Sequence, residues 1–242
     1  MPSRRLLAAF LAVATAAGVA ALGLPEFLTR QSAADTCLGV QADKRCVFLG
    51  GPLEMEGQPV FLDGFNHAFL AIKGEIDFID ANGVRWTAPP RTLTDGATIP
   101  QIFAPLVGDR QSREYLMAAA LHDAYCGVGN DALPTWLSRR WEDVHRMFYE
   151  ALLVNGTPPL KAKVMFAAVY LGGPRWDDPA RDLSDIAPEV LQQELIWCLD
   201  WIALKDPPVE RIVTWMAERE QAIRSGNPTR PAVLDGAVRG KG

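Results

Sequence analysis

The sequence predicts an α+β fold: a small N-terminal antiparallel β-sheet, or set of hairpins, packed on a mainly helical C-terminal part. Two observations predict it. From Val47 to Pro90 the chain runs in short apolar stretches broken by Gly, Pro and an Asn-Gly pair. After Pro90 apolar residues recur at three- and four-residue steps. Short β-rich runs between turn residues read as strands, and a period near 3.6 reads as helix.

The bulk properties set limits. A chain of 242 residues is long enough for one large domain or two small ones, and 49% hydrophobic with 22% charged residues is a globular composition. The net charge is −5 and no basic stripe is visible, which argues against a nucleic-acid partner.

Taken in order, the chain opens with Arg4 and Arg5 before an apolar run from Leu6 to Leu24, closed by Pro25-Glu26. Residues 1–24 read as a signal peptide or an N-terminal membrane anchor. The run exceeds the ~7–15 apolar residues of a cleaved signal. It is near the roughly 20 that span a bilayer. Cleavage options exist after Ala21 and Ala34, so both readings stay open. Either way Arg4 and Arg5 stay cytoplasmic and the rest is expected on the periplasmic or extracellular side of the envelope. The membrane is then one partner, reached through the N-terminal segment.

Residues 25–46 read as a linker. Candidate strands follow at Val47–Leu49, Pro59–Asp63, Phe69–Ile72, Ile76–Ile79 and Val84–Thr87. Asn82-Gly83 joins the last two as a hairpin whose central residues need positive φ. Pro89-Pro90 is expected to stop the sheet. Ile99-Pro100 opens a short turn or helix to Leu106, and Gln111-Ser112 can cap a helix that runs to about Cys126. A second helix spans about Trp136–Val154, with Leu137, Trp141, Val144, Phe148 and Ala151 at helical steps. Asn155-Gly156 ends it. A third runs from Pro158 to Leu171, before Gly172-Gly173-Pro174. The core domain is read as 47–176 and further helices as 177–225, about Pro188–Lys205 and Pro208–Ser225. These last helices are the expected docking surface for any protein partner. Residues 226–242 read as a disordered tail.

The four cysteines suit export. Cys37 and Cys46 lie close enough for a short-loop disulfide. Cys126 and Cys198 read equally well as a second bridge or as buried free thiols.

The stretch from Thr94 to Glu150 reads as a site. Asp95 sits in the turn TDGATIP, His122-Asp123 in the helix ALHDAYC, and Asp143 on the helix WEDVHRMFYEAL. A short connection forces the two helices antiparallel, which is expected to bring Asp143 near His122. In a catalytic reading, Asp143 fixes the imidazole tautomer and His122 acts as general base on water. Asp123 holds a divalent cation such as calcium, and Asp95 orients substrate. In the structural alternative, Asp95 makes an Asx-turn, Asp123 braces it, and His122 is a satisfied hydrogen-bonder between helices. His145, read as solvent-facing, and His67, in a β-side loop, are weaker candidates. Neither a GxSxG elbow nor a phosphate-binding Gly-rich loop is present.

TDGATIP, ALHDAYC, WEDVHRMFYEAL and LGGPRW in that order resemble the bacterial and phage family known as domain of unknown function 1353. That family's pattern is a D-G-[AS]-[ST]-[IV]-P turn, a helical H-D pair and an A-D-x-x-F segment. These fall on Asp95 to Pro100, on His122-Asp123, and on Asp143 with Phe148 nearby. Glu142 replaces the small residue of the third motif, and the Phe spacing is longer. The resemblance covers about residues 60–176 and implies an α+β domain with no settled activity. The placing of His122, Asp123 and Asp143 is also similar to secreted phospholipase A2, without that family's flanking cysteines or calcium loop. Two functions are therefore expected to compete: an envelope hydrolase acting on a lipid or cell-wall bond, and a non-catalytic, phage-derived or envelope interaction module.

Overall fold

The computed structural model describes residues 37, 46–96, 114–226 and 228–235. The expected leader, most of the linker, the Ile99–Leu106 turn and the Gln111-Ser112 cap lie outside the described residues. Among those described, no helix is long and apolar enough to cross a membrane.

The fold is α+β. Among the described residues, two three-stranded antiparallel sheets precede five helices. The first sheet orders β1 (Val47–Leu49), β4 (Ile76–Ile79) and β5 (Arg85–Ala88) as β1-β4-β5. The second orders β2 (Val60–Phe61), β3 (Ala68–Ala71) and β6 (Leu93–Thr94) as β2-β3-β6. Strand β6 corrects the expectation that Pro89-Pro90 ends the sheet. Arg91 adopts a left-handed φ of 72°, which turns the chain back, and Leu93 and Thr94 pair with Ala71 and Leu70.

The β4–β5 turn also differs from expectation. Asp80 and Val84 pair through Asp80 N–H to the Val84 carbonyl, so the loop holds three residues. Only Gly83, at φ 77°, is left-handed, which is the form a three-residue hairpin takes. Asp80 is what holds it. Its carboxylate accepts from the N–H groups of Asn82 and Val84, both at 2.8 Å, and from Trp86 Nε1, also at 2.8 Å.

The helices are α1 (Leu116–Cys126), α2 (Trp141–Asn155), α3 (Pro159–Gly172), α4 (Pro188–Lys205) and α5 (Val209–Arg224). Helix α2 starts later than its apolar period suggests. Residues 131–140 form turns, and Leu137 is left-handed at φ 49°. Helix α1 is the centre of the molecule. Every residue from Ala118 to Cys126 is buried, as expected of a helix apolar on all sides. It packs on α2, β5 and β6. Asn155 Oδ1, at the end of α2, accepts from the N–H groups of Met117 and Ala118 at 3.0 and 3.3 Å. That bond satisfies the start of α1 from a neighbouring helix and sets the two antiparallel.

Glu150 on α2 is buried and accepts the Ala81 N–H at 3.0 Å, tying the hairpin to the helices. Cys37 and Cys46 form a disulfide, while Cys126 and Cys198 are buried free thiols. In the C-terminal part Glu194 and Arg219 make two 2.6 Å bonds that join α4 to α5. The tail has structure at 228–235. Arg219 holds the Thr229 carbonyl at 2.8 Å, and a 3₁₀ turn at Ala232–Leu234 packs on α4 with Leu234 buried.

Candidate functional site

His122 and Cys126 lie four residues apart on α1 and so share a face one turn apart. Helix α2 brings His145 against them. His122 Nε2 is 3.2 Å from His145 Nδ1 and 3.5 Å from Cys126 Sγ. All three residues are buried, and their donor atoms lie within 4.8 Å of one another. Phe148 packs on His122 with ring centres 4.7 Å apart, and Trp141 packs edge-on to His145 at 5.6 Å. His145 Nε2 points at the Gly173 backbone and has no hydrogen-bond partner among the described residues. Gly173 in turn lines a cavity of about 680 Å³ bounded also by Arg175, Trp176 and Leu191.

Burial opposes a charge on His122, but the Cys126 sulfur and Asp123 outweigh it and raise its pKa to about 10. His145 is held well below the usual imidazole range by burial, by His122 and by the Arg175 cation. The interior thus favours positive charge at His122 and a neutral imidazole at His145.

A second polar group lies toward the surface. His67 Nε2 is 2.9 Å from Asp95 Oδ2, with the side chains 25% and 6% exposed. The approach lies off the N–H direction, so it is a close imidazole–carboxylate contact rather than an aligned hydrogen bond. The other ring nitrogen, Nδ1, is 3.3 Å from Oδ1 of the exposed Asn66. Asp123 links the two groups. Its Oδ1 is 3.9 Å from His122 Nδ1. Burial raises its pKa, His122 acts the other way, the Asp95 carboxylate raises it further, and Thr94 lowers it.

Asn130 positions the Asp95 turn. Its Oδ1 accepts the Leu93 N–H at 2.8 Å, while Nδ2 donates to the Leu93 carbonyl at 2.9 Å and to the Asp123 carbonyl at 3.0 Å. One side-chain amide thereby extends the β6 edge and fastens it to the end of α1. Gly127 closes the same corner: a Cβ there would sit 2.6 Å from Asp123 Cβ.

The expected constellation is rearranged. Asp143 is exposed and does not serve as the partner of His122, because its position on α2 is one step off the buried face. His145 takes that place, four residues after Trp141 and three before Phe148, and is buried rather than solvent-facing. That spacing is the signal by which the sequence marks it. Asp95 meets His67. Asp123 is buried beside both groups but is not among the close-set metal-capable donors of the described residues. Those donors are nitrogen and sulfur, which suit a softer cation than calcium. With Asp143 outside and His122 enclosed, the arrangement of secreted phospholipase A2 is not reproduced.

Residues 70–169 match the sequence model of the family described as "Protein of unknown function (DUF1353)". This segment, under half of the chain, is similar to the DUF1353 family. It holds Asp95, His122, Asp123, Cys126 and His145, so both polar groups except His67 lie inside it. The chain is similar to the uncharacterized protein y4iH of Sinorhizobium fredii (strain NBRC 101917 / NGR234), 40% identical over 105 residues, 43% of this chain and 41% of that protein. It is also similar to the uncharacterized protein y4jT of the same strain, 36% identical over 116 residues, 48% of this chain and 32% of that protein. The match therefore spans well under half of either relative. No solved structure matches the chain.

Proposed function

We propose that this protein is an envelope hydrolase whose catalytic base is His67, held by Asp95. The observation that carries the reading is the 2.9 Å contact between a partly exposed imidazole and a buried carboxylate. In this arrangement Asp95 stabilises the imidazolium that forms when His67 Nδ1 takes a proton from water. The water oxygen bonds to a carbonyl carbon of a lipid or cell-wall acyl bond, and His67 returns the proton to the leaving group. Asn66, exposed and 3.3 Å away, is readily displaced from Nδ1 by water. The imperfect alignment at Asp95 is common before substrate binds. His122 is enclosed and is not the base.

Two features support the location. Arg4, Arg5 and the apolar run that follows have the form of an export or anchor segment. The Cys37–Cys46 disulfide suits an oxidising compartment.

The test is turnover of phospholipid vesicles and peptidoglycan fragments by the full chain and by His67→Ala and Asp95→Asn. Each variant is expected to lose activity about 10²–10⁴-fold with its melting temperature nearly unchanged. A fully active, folded His67→Ala protein sinks the reading. Absence of turnover by the parent chain on both substrates favours the non-catalytic interaction module, with α4 and α5 as its docking surface.

A further inference from the structure

We infer that His122 Nε2, His145 Nδ1 and Cys126 Sγ form a binding site for one zinc-type transition-metal ion. Four-coordinate zinc holds imidazole nitrogen at about 2.0–2.1 Å and thiolate sulfur at about 2.3 Å. Tetrahedral angles then set neighbouring nitrogens about 3.3 Å apart, and nitrogen and sulfur about 3.6 Å apart. The observed separations are 3.2 Å between the nitrogens and 3.5 Å from His122 Nε2 to the sulfur. The third pair, Cys126 and His145, lies within the same 4.8 Å limit. Two of the three separations already match the corners that one ion requires, and the third is bounded at 4.8 Å.

The surroundings agree. The donor set is two imidazoles and a thiol, the types that zinc, copper and cobalt prefer over calcium or magnesium. The other nitrogen of His122 is turned toward Asp123 at 3.9 Å, on the side where metal-bound histidines commonly have a carboxylate. The Cys37, Cys46 and Glu150 group also brings three metal-capable residues together, but its sulfurs are joined in the disulfide and cannot bind.

All three ligands are buried, so an ion here is enclosed by α1, α2 and the aromatic rings of Trp141 and Phe148. It would join the two helices and stabilise the fold. This site is independent of the His67–Asp95 reading, and either can fail alone.

The experiment uses the full chain with the Cys37–Cys46 disulfide intact, stripped by chelator under inert gas without thiol reductant and titrated with Co²⁺. Binding at a single equivalent is expected, with tetrahedral ligand-field bands in the visible and a thiolate-to-metal band in the near ultraviolet. Cys126→Ser should abolish the thiolate band, and Cys198→Ser, which alters the other free thiol, should leave it. Should Cys126→Ser fail to fold, His145→Gln serves in its place and should weaken Co²⁺ binding at least tenfold. Zn²⁺ should displace Co²⁺ and raise the melting temperature of the parent chain. The proposal is overturned if the folded parent chain binds no Co²⁺, or if its thiolate band survives Cys126→Ser or vanishes in Cys198→Ser. It is equally overturned if His145→Gln binds as tightly as the parent.

Discussion

Asn130→Ala gives the sharpest test of how this fold holds its polar centre. The side-chain amide makes three hydrogen bonds between 2.8 and 3.0 Å, two to Leu93 and one to Asp123, and Asn130 is 1% exposed. Each such bond contributes a net 0.5–1.5 kcal/mol or so, and a stranded buried donor costs about 1–3 kcal/mol. The loss is expected to be about 3 kcal/mol. For a chain of this size about 1 kcal/mol moves the melting temperature by roughly 2–4 °C, so a fall of roughly 6–12 °C follows. Urea unfolding read by tryptophan fluorescence measures it. Asn130→Asp should be at least as damaging, because it keeps the acceptor for Leu93 but sets a carboxylate against two carbonyl oxygens. A loss below about 1 kcal/mol for Asn130→Ala would falsify the assignment of Asn130 as the clamp between β6 and α1.

Other expectations follow from the same packing. A Cβ on Gly173 would press on the Val169 carbonyl oxygen and come 2.7 Å from His145 Nε2, so Gly173→Ala should destabilise by about 2 kcal/mol in a thermal melt. Asp80→Asn removes one of the acceptors that bind Asn82, Val84 and Trp86 Nε1 and should cost about 1–3 kcal/mol, readable in urea. Glu220 binds Arg175 at 2.8 Å and Arg181 at 3.1 Å, and Glu220→Gln should cost about 3–5 kcal/mol by leaving the buried Arg175 without its anion. Burial acts to raise the Glu220 pKa, but Arg181 and Arg175 outweigh it and hold the carboxyl below the usual glutamate value. The folded state therefore binds fewer protons than the unfolded chain below about pH 4.5, so this stabilisation is complete above that pH and fades as pH falls through the folded value. Unfolding free energies measured from pH 3 to 6 should show that slope in the parent chain and a shallower one in Glu220→Gln.

The helices were legible because their apolar period is carried by large residues. Trp141, Val144 and Phe148 mark the inner face of α2, and all three are buried. The same period also places residue 145 inside. Polarity pointed to Asp143 instead, one step outside that face. Cys126 lies one helical turn from His122, but no CxxC or Cys/His spacing in the sequence suggests zinc, and nothing there says that an imidazole of the next helix completes the set. His67 and Asp95 are 28 positions apart, and only the pairing of β3 with β6 brings their ends together. Asn130 lies in a turn where composition predicts a loop and is silent about what the side chain bonds. Strand β6 is two residues long, too short for any alternation to show.

The enclosure of α1 carries a kinetic consequence. Its inner amides are shielded by sheet and helices, so they should exchange with deuterated water only as fast as the whole domain opens. An ion at His122 is then expected to exchange slowly, so each cobalt addition to the folded chain needs time to equilibrate.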